Sequence, residues 1–510
     1  MDASSRVAVN TFAQYVRTFF SVIIALFTSR IILANLGADD YGISSLVGGI
    51  VAMLSFIQNN LSRTIQRFLS YNRGRSDKER LVLIFNNSLW TQLIISLTLS
   101  AGLLLFLPVV FDKLININPD RIGAAKIVYL LTIFNLFFNM LTTPYLAILI
   151  SRENIVFSSI VSIVDSLFRI PVALSLIWIS SHKLEWYTLM GSSIVIFNYI
   201  VYRFYCRKKY DECRHFAINS FRKDMFFEML SFMGWNVYGN MCITARTQGV
   251  AILLNRFYTT AINAAYGIAG QVSGQFSFLS SSLTTAMNPQ IIMAEGIGDR
   301  KKMIRLTEIS CKLSFLLMSI VSVPGVFYMD TILDLWLEDV PEYAGLFCTF
   351  ILLSVQVDLI TQNCSTANQA VGNVKVYSIV INTIKVITLP AAYFALKAGY
   401  GPLGVMVSYL FFEAFCAFGK LIFLHYNIQL SIKQFTSNVI IGVIPPFLVN
   451  IMICYFISQN QSPWMLLFAL ASSLITTILA TYFIGLKDDE KEIVNNMAVK
   501  AITKFKNKNT

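Results

Sequence analysis

The chain has 510 residues, 55% hydrophobic and only 13% charged, with a formal net charge of +12 and a mean hydropathy of +0.62. Soluble domains carry roughly 25% charged residues, so a water-soluble protein of this length is excluded. Forty Phe against three His point to a lipid-facing surface, not a histidine-based catalytic core.

The polar start, Met1 to Asn10, lacks the pattern of a cleaved signal peptide, and the first apolar run is expected to act as its own insertion signal. A span needs about 20 mostly apolar residues. In chain order such runs lie near 10–36, 41–62, 81–110, 126–150, 155–181 and 184–205. After a basic break come 227–254, 262–290, 309–333, 343–366, 374–397, 402–424, 435–457 and 463–486. The runs 41–62 and 262–290 are the most polar, rich in Gly, Ser, Gln and Asn. Lipid offers no hydrogen bonds to the backbone, so a span is a helix or part of a closed barrel. Barrel strands alternate apolar and polar residues, and runs such as Ile94 to Val109 do not. The expectation is an all-α integral membrane protein with about fourteen transmembrane helices.

Basic residues set the orientation. With both ends in the cytoplasm, the outer segments hold only Lys113, Arg121, Lys126, Lys183, Arg256 and Lys397 of the 40 Lys and Arg. The rest fall on the inner side, Lys312 and Lys420 among them, or inside the spans. Basic loops that fix topology and touch anionic headgroups account for the net charge, so nucleic-acid binding is not needed to explain it. The acidic outer loop Asp330 to Glu342 fits an ordinary solvated loop better than an ion-attracting vestibule.

The first and seventh spans share a pattern. Ile32-Leu33-Ala34-Asn35, Tyr41-Gly42-Ile43, Gly48 and Gly49 are echoed by Ile252-Leu253-Leu254-Asn255, Tyr266-Gly267-Ile268, Gly270 and Gly274. Each copy exits into a basic inner loop, at Asp77-Lys78 and Asp299-Arg300. An offset of six spans preserves orientation, as in parallel transporter repeats. The domain expectation is an N-lobe at 1–205, a basic cytoplasmic linker at 206–225, a C-lobe at 226–425, two further spans at 426–486 and a basic cytoplasmic tail at 487–510. The small and polar residues of the two repeat helices fit either tight packing or the lining of a wet cleft.

Ionisable groups inside a membrane are costly and face a cavity or a partner. The basic ones are Arg17, Arg30, Arg169, Arg246 and Lys385; the acidic ones are Asp165, Asp358 and Glu413. Asp165 and Arg169 are four apart and share a helix face, so an intrahelical pair is expected. Asp358 and Lys385 are expected to pair between neighbouring helices. Arg17, Arg30 and Arg246 have no local acid; snorkelling towards opposite interfaces is an alternative for Arg17 and Arg30, and the three are read as the cations that attract a phosphate-bearing headgroup, for which Arg offers a rigid fork of donors. Asp165, Asp358 and Glu413 are the candidates for coupling to H+ or Na+.

No Gly-x-x-x-x-Gly-Lys-Ser/Thr and no His-Glu-x-x-His occurs. Cys206, Cys213 and His215 sit together, but in no common zinc spacing. No metal or other cofactor is implied, and the pattern is that of a transporter, not an enzyme.

An ordered set of short motifs carries a family resemblance. It comprises Leu36-Gly37-Ala38-Asp39-Asp40-Tyr41-Gly42, Gln66-Arg67-Phe68-Leu69-Ser70, Trp235-Asn236, Leu253-Leu254-Asn255-Arg256-Phe257 and Asn263-Ala264-Ala265-Tyr266-Gly267-Ile268-Ala269. It continues with Met287-Asn288-Pro289-Gln290-Ile291, Leu335-Trp336-Leu337 and Gln369-Ala370-Val371-Gly372-Asn373, the last standing where relatives often read Ala-Thr-Gly-Lys. Over roughly residues 1–400 the chain resembles bacterial polysaccharide-biosynthesis flippases of the O-antigen type, in the multidrug/oligosaccharidyl-lipid/polysaccharide exporter superfamily. The resemblance implies two six-helix lobes around a cavity that opens alternately to each side of the bacterial inner membrane. It implies an undecaprenyl-diphosphate-linked oligosaccharide as cargo, with glycan polymerase or export proteins as partners in cell-envelope or lipopolysaccharide assembly. An ion-coupled multidrug antiporter and a lipid-linked peptidoglycan-precursor flippase are the alternatives within the superfamily. A non-transporting scaffold of a glycan-assembly complex is the alternative outside it.

Overall fold

A computed structural model describes residues 3–52, 54–111, 119–214, 221–258, 260–337, 340–460, 462–487 and 490–491. Lys113, His215, Glu338, Asp339 and the tail beyond residue 491 lie outside them. The described chain is helical, and it divides into two compact units. One runs over Val9–Val237; the other holds the chain from Tyr238 onward, with the first residues.

The first unit is built from α1 (Ala3–Ala52), α2 (Ser55–Gly74), α3 (Lys78–Val109), α4 (Ile122–Ser151), α5 (Ile155–Ser175), α6 (Lys183–Lys209) and the start of α7 (Lys223–Phe257). Gly37 breaks α1 at φ 80° and ψ 168°, a conformation that a side chain would disfavour. The glycine of the Leu36-Gly37 motif therefore separates the first span from the polar helix after it. At the centre, α4 packs on α2, α3 and α6. Its Val128, Tyr129, Ile133, Leu136 and Met140 form the core with Leu61, and the buried Tyr129 hydroxyl donates to the Leu103 carbonyl at 2.9 Å.

The second unit continues α7 and adds α8 (Thr260–Phe276), α9 (Phe278–Ile297), α10 (Arg300–Phe327), the short α11 (Met329–Trp336), α12 (Ala344–Leu359), α13 (Gln362–Val371), α14 (Val374–Lys397) and α15 (Gly401–Ile428). The one-turn α16 (Ile432–Phe435), then α17 (Ile441–Ile457) and α18 (Pro463–Ala480), complete it. Its core gathers Val250, Leu254, Ala265, Tyr266, Met318, Phe347, Leu352, Val405 and Met406.

Eleven described helices are long and apolar enough to cross a membrane. The three other expected spans fall on the polar stretch through the end of α1 into α2, on α7, and on α8 with α9. Expected edges move by several residues, as two runs show. The run 309–333 is α10, which begins at Arg300 and stops at Phe327. The run 343–366 is α12 joined to α13 and extends to Val371.

The sequence repeat has a structural counterpart within each unit. Asp77 accepts a hydrogen bond from the Arg80 amide at 3.0 Å and starts α3. Asp299 accepts from the Lys302 amide at 3.0 Å and starts α10. Each satisfies a donor that the first helical turn leaves open. Glu153 (φ 56°) before Asn154 and α5 is matched by Gly372 (φ 98°) before Asn373 and α14.

Beyond the two sets of six, α17 and α18 dock on α10. Asn450 donates to the Ser319 carbonyl at 3.2 Å, Ser473 to the Ile320 carbonyl at 2.8 Å, and Tyr328 to the Ile457 carbonyl at 3.0 Å. Lys312, counted on the inner side for topology, is 1% exposed. It donates to Glu490 at 2.7 Å and to the Gly485 carbonyl at 3.2 Å. A Cβ on Gly485 would lie 3.0 Å from the Gly442 carbonyl oxygen, so this glycine pair lets the two last helices meet beside that lysine.

Candidate functional site: a charged cavity in the second unit

Four helices of the second unit each turn one buried stripe inward at helical spacing. On α7 it is Gly239, Cys242, Arg246 and Val250; on α15 it is Tyr409, Glu413, Cys416 and Lys420. On α14 it includes Ile381, Lys385 and Thr388, and α12 contributes Asp358. Two glycines of α7 sit directly against α14: a Cβ on Gly239 would meet Asn382 Nδ2 at 2.6 Å, and one on Gly249 would meet Leu389 Cδ2 at 2.6 Å. That close approach brings Arg246 towards Lys385.

The charges form one alternating chain. Arg246 Nη1 donates to Glu413 Oε2. Lys385 Nζ donates to Glu413 Oε1 at 2.5 Å and to Asp358 Oδ1 at 3.3 Å. Lys420 Nζ donates to the same Asp358 oxygen at 2.6 Å. Arg246, Lys385, Glu413 and Lys420 are all at most 6% exposed, so each charge depends on its neighbours for the solvation it has lost. The Arg246 guanidinium also stacks on the Tyr409 ring, 4.1 Å from its centroid, a favourable contact for a desolvated cation. Three cations face two carboxylates. Arg246 Nε is buried with no hydrogen-bond partner among the described residues.

This chain lies at the wall of a cavity of about 720 Å³. Arg246, Asp358, Lys385, Tyr409 and Glu413 line it; Lys420 does not. α8 lines it as well, through Tyr266, Gly267, Gly270, Ser273 and Gly274, followed by Ser277. A Cβ added at Gly267, Gly270 or Gly274 would meet nothing within 4 Å. Of the two readings of this polar helix, the lining of a cleft therefore fits, not tight packing. In the repeat-equivalent helix, the side chains of Tyr41, Ser45 and Ser55 and the placements of Gly42, Gly48 and Gly49 lie outside those described.

The first unit has its own cavity, of about 610 Å³, lined by neutral polar groups that include Ser21, Thr28, Ser29, Asn135 and Asn139, with Arg169 as its cation. Arg169 Nε donates to Asp165 Oδ2 at 3.0 Å, the intrahelical pair expected from their spacing. Asn198 Nδ2 donates to the other Asp165 oxygen at 2.6 Å.

The site residues read from sequence thus separate. Arg246, Lys385, Asp358 and Glu413 come together, and the Asp358–Lys385 pair is present. Arg17 is half-buried and Arg30 exposed, and neither lines either large cavity. Arg246, which has no local acid in the sequence, finds its partner in Glu413, 167 residues away. Lys420, counted on the inner side for topology, closes the charge chain from inside the fold. Its signal was in the sequence, because Glu413 and Lys420 are seven residues apart and so on one face of α15.

Among the described residues no group of three or more His, Cys, Asp or Glu is placed to hold a metal ion. Burial pushes the Cys213 thiol above its ordinary value, which favours the protonated form over the thiolate that would bind metal.

Comparison with known proteins agrees with this architecture. Residues 239–394 match the MatE family, a stretch that contains Arg246, Asp358 and Lys385. A MATE protein in the bent conformation superposes with a TM-score of 0.73 at 12% identity, covering 84% of this chain and 96% of that one. The MATE transporter ClbM in complex with Rb+ gives 0.69 at 14% identity, covering 84% and 95%. A MOP superfamily transporter from Pyrococcus furiosus, described as having a binding pocket of reverse polarity, gives 0.68 at 13%, covering 84% and 96%. Comparison with curated proteins gives no match. The chain thus resembles the MatE family over residues 239–394 and has the fold of MATE transporters.

Proposed function

We propose that this transporter carries an undecaprenyl-diphosphate-linked oligosaccharide, an O-antigen or other surface-polysaccharide repeat unit, from the cytoplasmic to the outer leaflet of the bacterial inner membrane. The observation that carries the reading is the excess of cation in the buried charge chain at the wall of the second unit's cavity, counting Lys420, which stands outside the lining. Three buried cations stand against two carboxylates, and Arg246 keeps one buried donor unused. A diphosphate presents the oxygens that such a guanidinium and the Lys385 ammonium can take. A sugar headgroup in hydrocarbon would leave many polar groups without partners, each at a cost of roughly 2–7 kcal/mol. A polar, glycine-lined cavity removes that cost while the lipid tail stays in the bilayer. Access to the cavity then alternates between the two sides. The N- and C-termini are taken as cytoplasmic, and glycan polymerase or export proteins as its partners. Arg17, Arg30 and Arg169 are proposed as further cations met by the anionic headgroup. Asp165, Asp358 and Glu413 are the groups proposed to couple its movement to H+ or Na+.

An ion-coupled multidrug antiporter uses the same fold, and two carboxylates at the cavity suit a cationic drug. Their pairing with tethered cations is what favours the anionic cargo. Proteoliposomes containing a fluorescent undecaprenyl-diphosphate oligosaccharide test this. Protein-dependent translocation, lost on charge removal at Arg17, Arg30 and Arg246 together while protein levels hold, is the expected result. Translocation of a cationic dye but not of the lipid-linked sugar would establish the antiporter reading. Preference for a peptidoglycan precursor would establish the related flippase. Survival of transport in the triple variant would remove these arginines from the site.

A further inference from the structure

We propose that the cavity of the first unit is a carbohydrate site that takes uncharged sugar residues. The cargo reading rests on the charges of the other cavity. This site rests on hydroxyl and amide chemistry within the first unit, and stands or falls by itself.

Four helices bring polar side chains to this cavity of about 610 Å³, a volume within the roughly 300–1,000 Å³ of small-molecule sites. On α4 the lining residues Val128, Thr132, Asn135 and Asn139 form one stripe at helical spacing. Ser21 and Thr28 join it from α1, Ser166 and Arg169 from α5, and Tyr187 and Thr188 from α6. Among the described residues no carboxylate lines it. Arg169 is its one cation, and Asp165 balances that charge through Nε at 3.0 Å.

The hydroxyl protons of this lining are already spent. Thr28 donates to the Ile24 carbonyl at 2.8 Å, Thr132 to the Val128 carbonyl at 2.7 Å and Thr188 to the Leu184 carbonyl at 2.9 Å. Ser166 donates to the Ser162 carbonyl at 3.0 Å. Across the 3.1 Å between the two serine oxygens, Ser21 is therefore the donor to Ser166. A hydroxyl has one proton but two lone pairs, so each of these oxygens can still accept. Asn135 Oδ1 is buried with no hydrogen-bond partner among the described residues. The cavity thus offers many acceptors and few donors, chiefly the Asn139 amide and the Arg169 nitrogens beyond Nε.

That pattern selects a ligand. A phosphate or carboxylate brings acceptors only, and a hydroxyl here could serve it only by giving up a bond within its own helix. A metal ion or organic cation would find no carboxylate in the lining and a guanidinium beside it. A sugar brings a proton to each oxygen its hydroxyls meet, and its ring and acetamido oxygens accept from Asn139 and Arg169. Ile24, Ile32 and Val172, also in the lining, suit the C–H faces of a pyranose. Arg169, counted in the cargo reading among the cations met by the headgroup, acts here as a hydrogen-bond donor to the glycan. Buried acceptors left unmatched are costly, so such a site discriminates by hydroxyl pattern.

The experiment uses the full chain in nanodiscs and triacetylchitotriose, an uncharged trisaccharide free of phosphate and lipid, as probe. Saturation-transfer NMR reads contact of the sugar C–H protons with the protein, and its concentration dependence gives the affinity. Saturation transfer is expected with the unaltered protein. Thr28→Val and Asn135→Leu each remove one acceptor and are expected to weaken binding about tenfold, the size of one strong hydrogen bond. Thr28→Ser keeps the oxygen and is expected to bind as the unaltered protein does. Absence of binding to the unaltered protein would overturn the inference, as would unchanged affinity in Thr28→Val and Asn135→Leu. A loss in Thr28→Ser equal to that in Thr28→Val would assign the effect to packing and overturn it too. Tighter binding of an oligogalacturonate of the same length would overturn the uncharged class and return Arg169 to the role of a free cation. Should one of the two weakening variants fail to fold, the other decides. Farnesyl-diphosphate-linked N-acetylglucosamine, titrated alongside, tests the cargo reading separately. Binding of that lipid without binding of the free trisaccharide would strike this inference and leave the cargo reading standing; the reverse result would do the opposite.

Discussion

Glu413 is held from both sides: Arg246 Nη1 meets one carboxylate oxygen and Lys385 Nζ the other, at 2.5 Å. None of the three is more than 6% exposed. Removing one partner from such a buried pair leaves an uncompensated charge, at a cost of about 3–5 kcal/mol, whereas removing both costs far less. Arg246→Gln and Glu413→Gln are each expected to lower the thermal unfolding temperature in detergent. The double variant is expected to be more stable than the two losses added together. Simple addition would mean that the pair carries no coupling.

Lys420 touches no part of the cavity, yet it fixes Asp358, and Asp358 shares Lys385 with Glu413. Lys420→Met would leave Lys385 as the only cation on Asp358 and draw it away from Glu413. Headgroup affinity, read by calorimetric titration with farnesyl-diphosphate-linked N-acetylglucosamine as a diphosphate probe, is expected to fall about tenfold, the size of one modest buried interaction of about 1.4 kcal/mol. Pairing it with Asp358→Asn removes the pull on Lys385, so affinity is expected to recover in part. A structural defect at Lys420 would worsen with the second change, not recover.

These lysines also mark where the sequence stopped being legible. The spans were readable because twenty apolar residues in a row have one physical meaning. The repeat was readable because Asp77 and Asp299 stand at the same place in it and cap equivalent helices, α3 and α10. The Asp165–Arg169 pair was readable because both ends lie on one helix. The partner of Arg246 was not, since it depends on which faces of α7 and α15 meet. Counting basic residues for topology treats a lysine near a helix end as interfacial. Lys312 and Lys420 both turn inward instead, each to a carboxylate supplied by a distant part of the chain.

The α7–α14 contact that sets the cavity wall depends on small residues. With a Cβ on Gly249 falling 2.6 Å from Leu389 Cδ2, Gly249→Val must push the two helices apart or force Leu389 off its rotamer. Overpacking of this kind costs about 1–3 kcal/mol. Gly249→Val is expected to lower thermal stability and weaken probe binding, and Leu389→Ala is expected to restore much of both by vacating the space. Loss of stability without rescue by Leu389→Ala would locate the effect elsewhere.

The two last helices offer a separate test of what the charged cavity needs. Gly485 accepts a hydrogen bond from Lys312 through its carbonyl, and a Cβ there would meet the Gly442 carbonyl oxygen at 3.0 Å and Pro446 Cγ at 3.1 Å. A backbone oxygen cannot swing aside as a side chain can, so Gly485→Val must displace α18 from α17 and weaken their seat on α10. The cost is again about 1–3 kcal/mol. None of these groups lines the cavity of the second unit. Gly485→Val is therefore expected to lower the unfolding temperature while the diphosphate probe binds the folded protein with unchanged affinity. A matching fall in affinity would mean that the terminal helices hold the cavity open, and that α10 transmits their docking to Asp358 through its packing on α12.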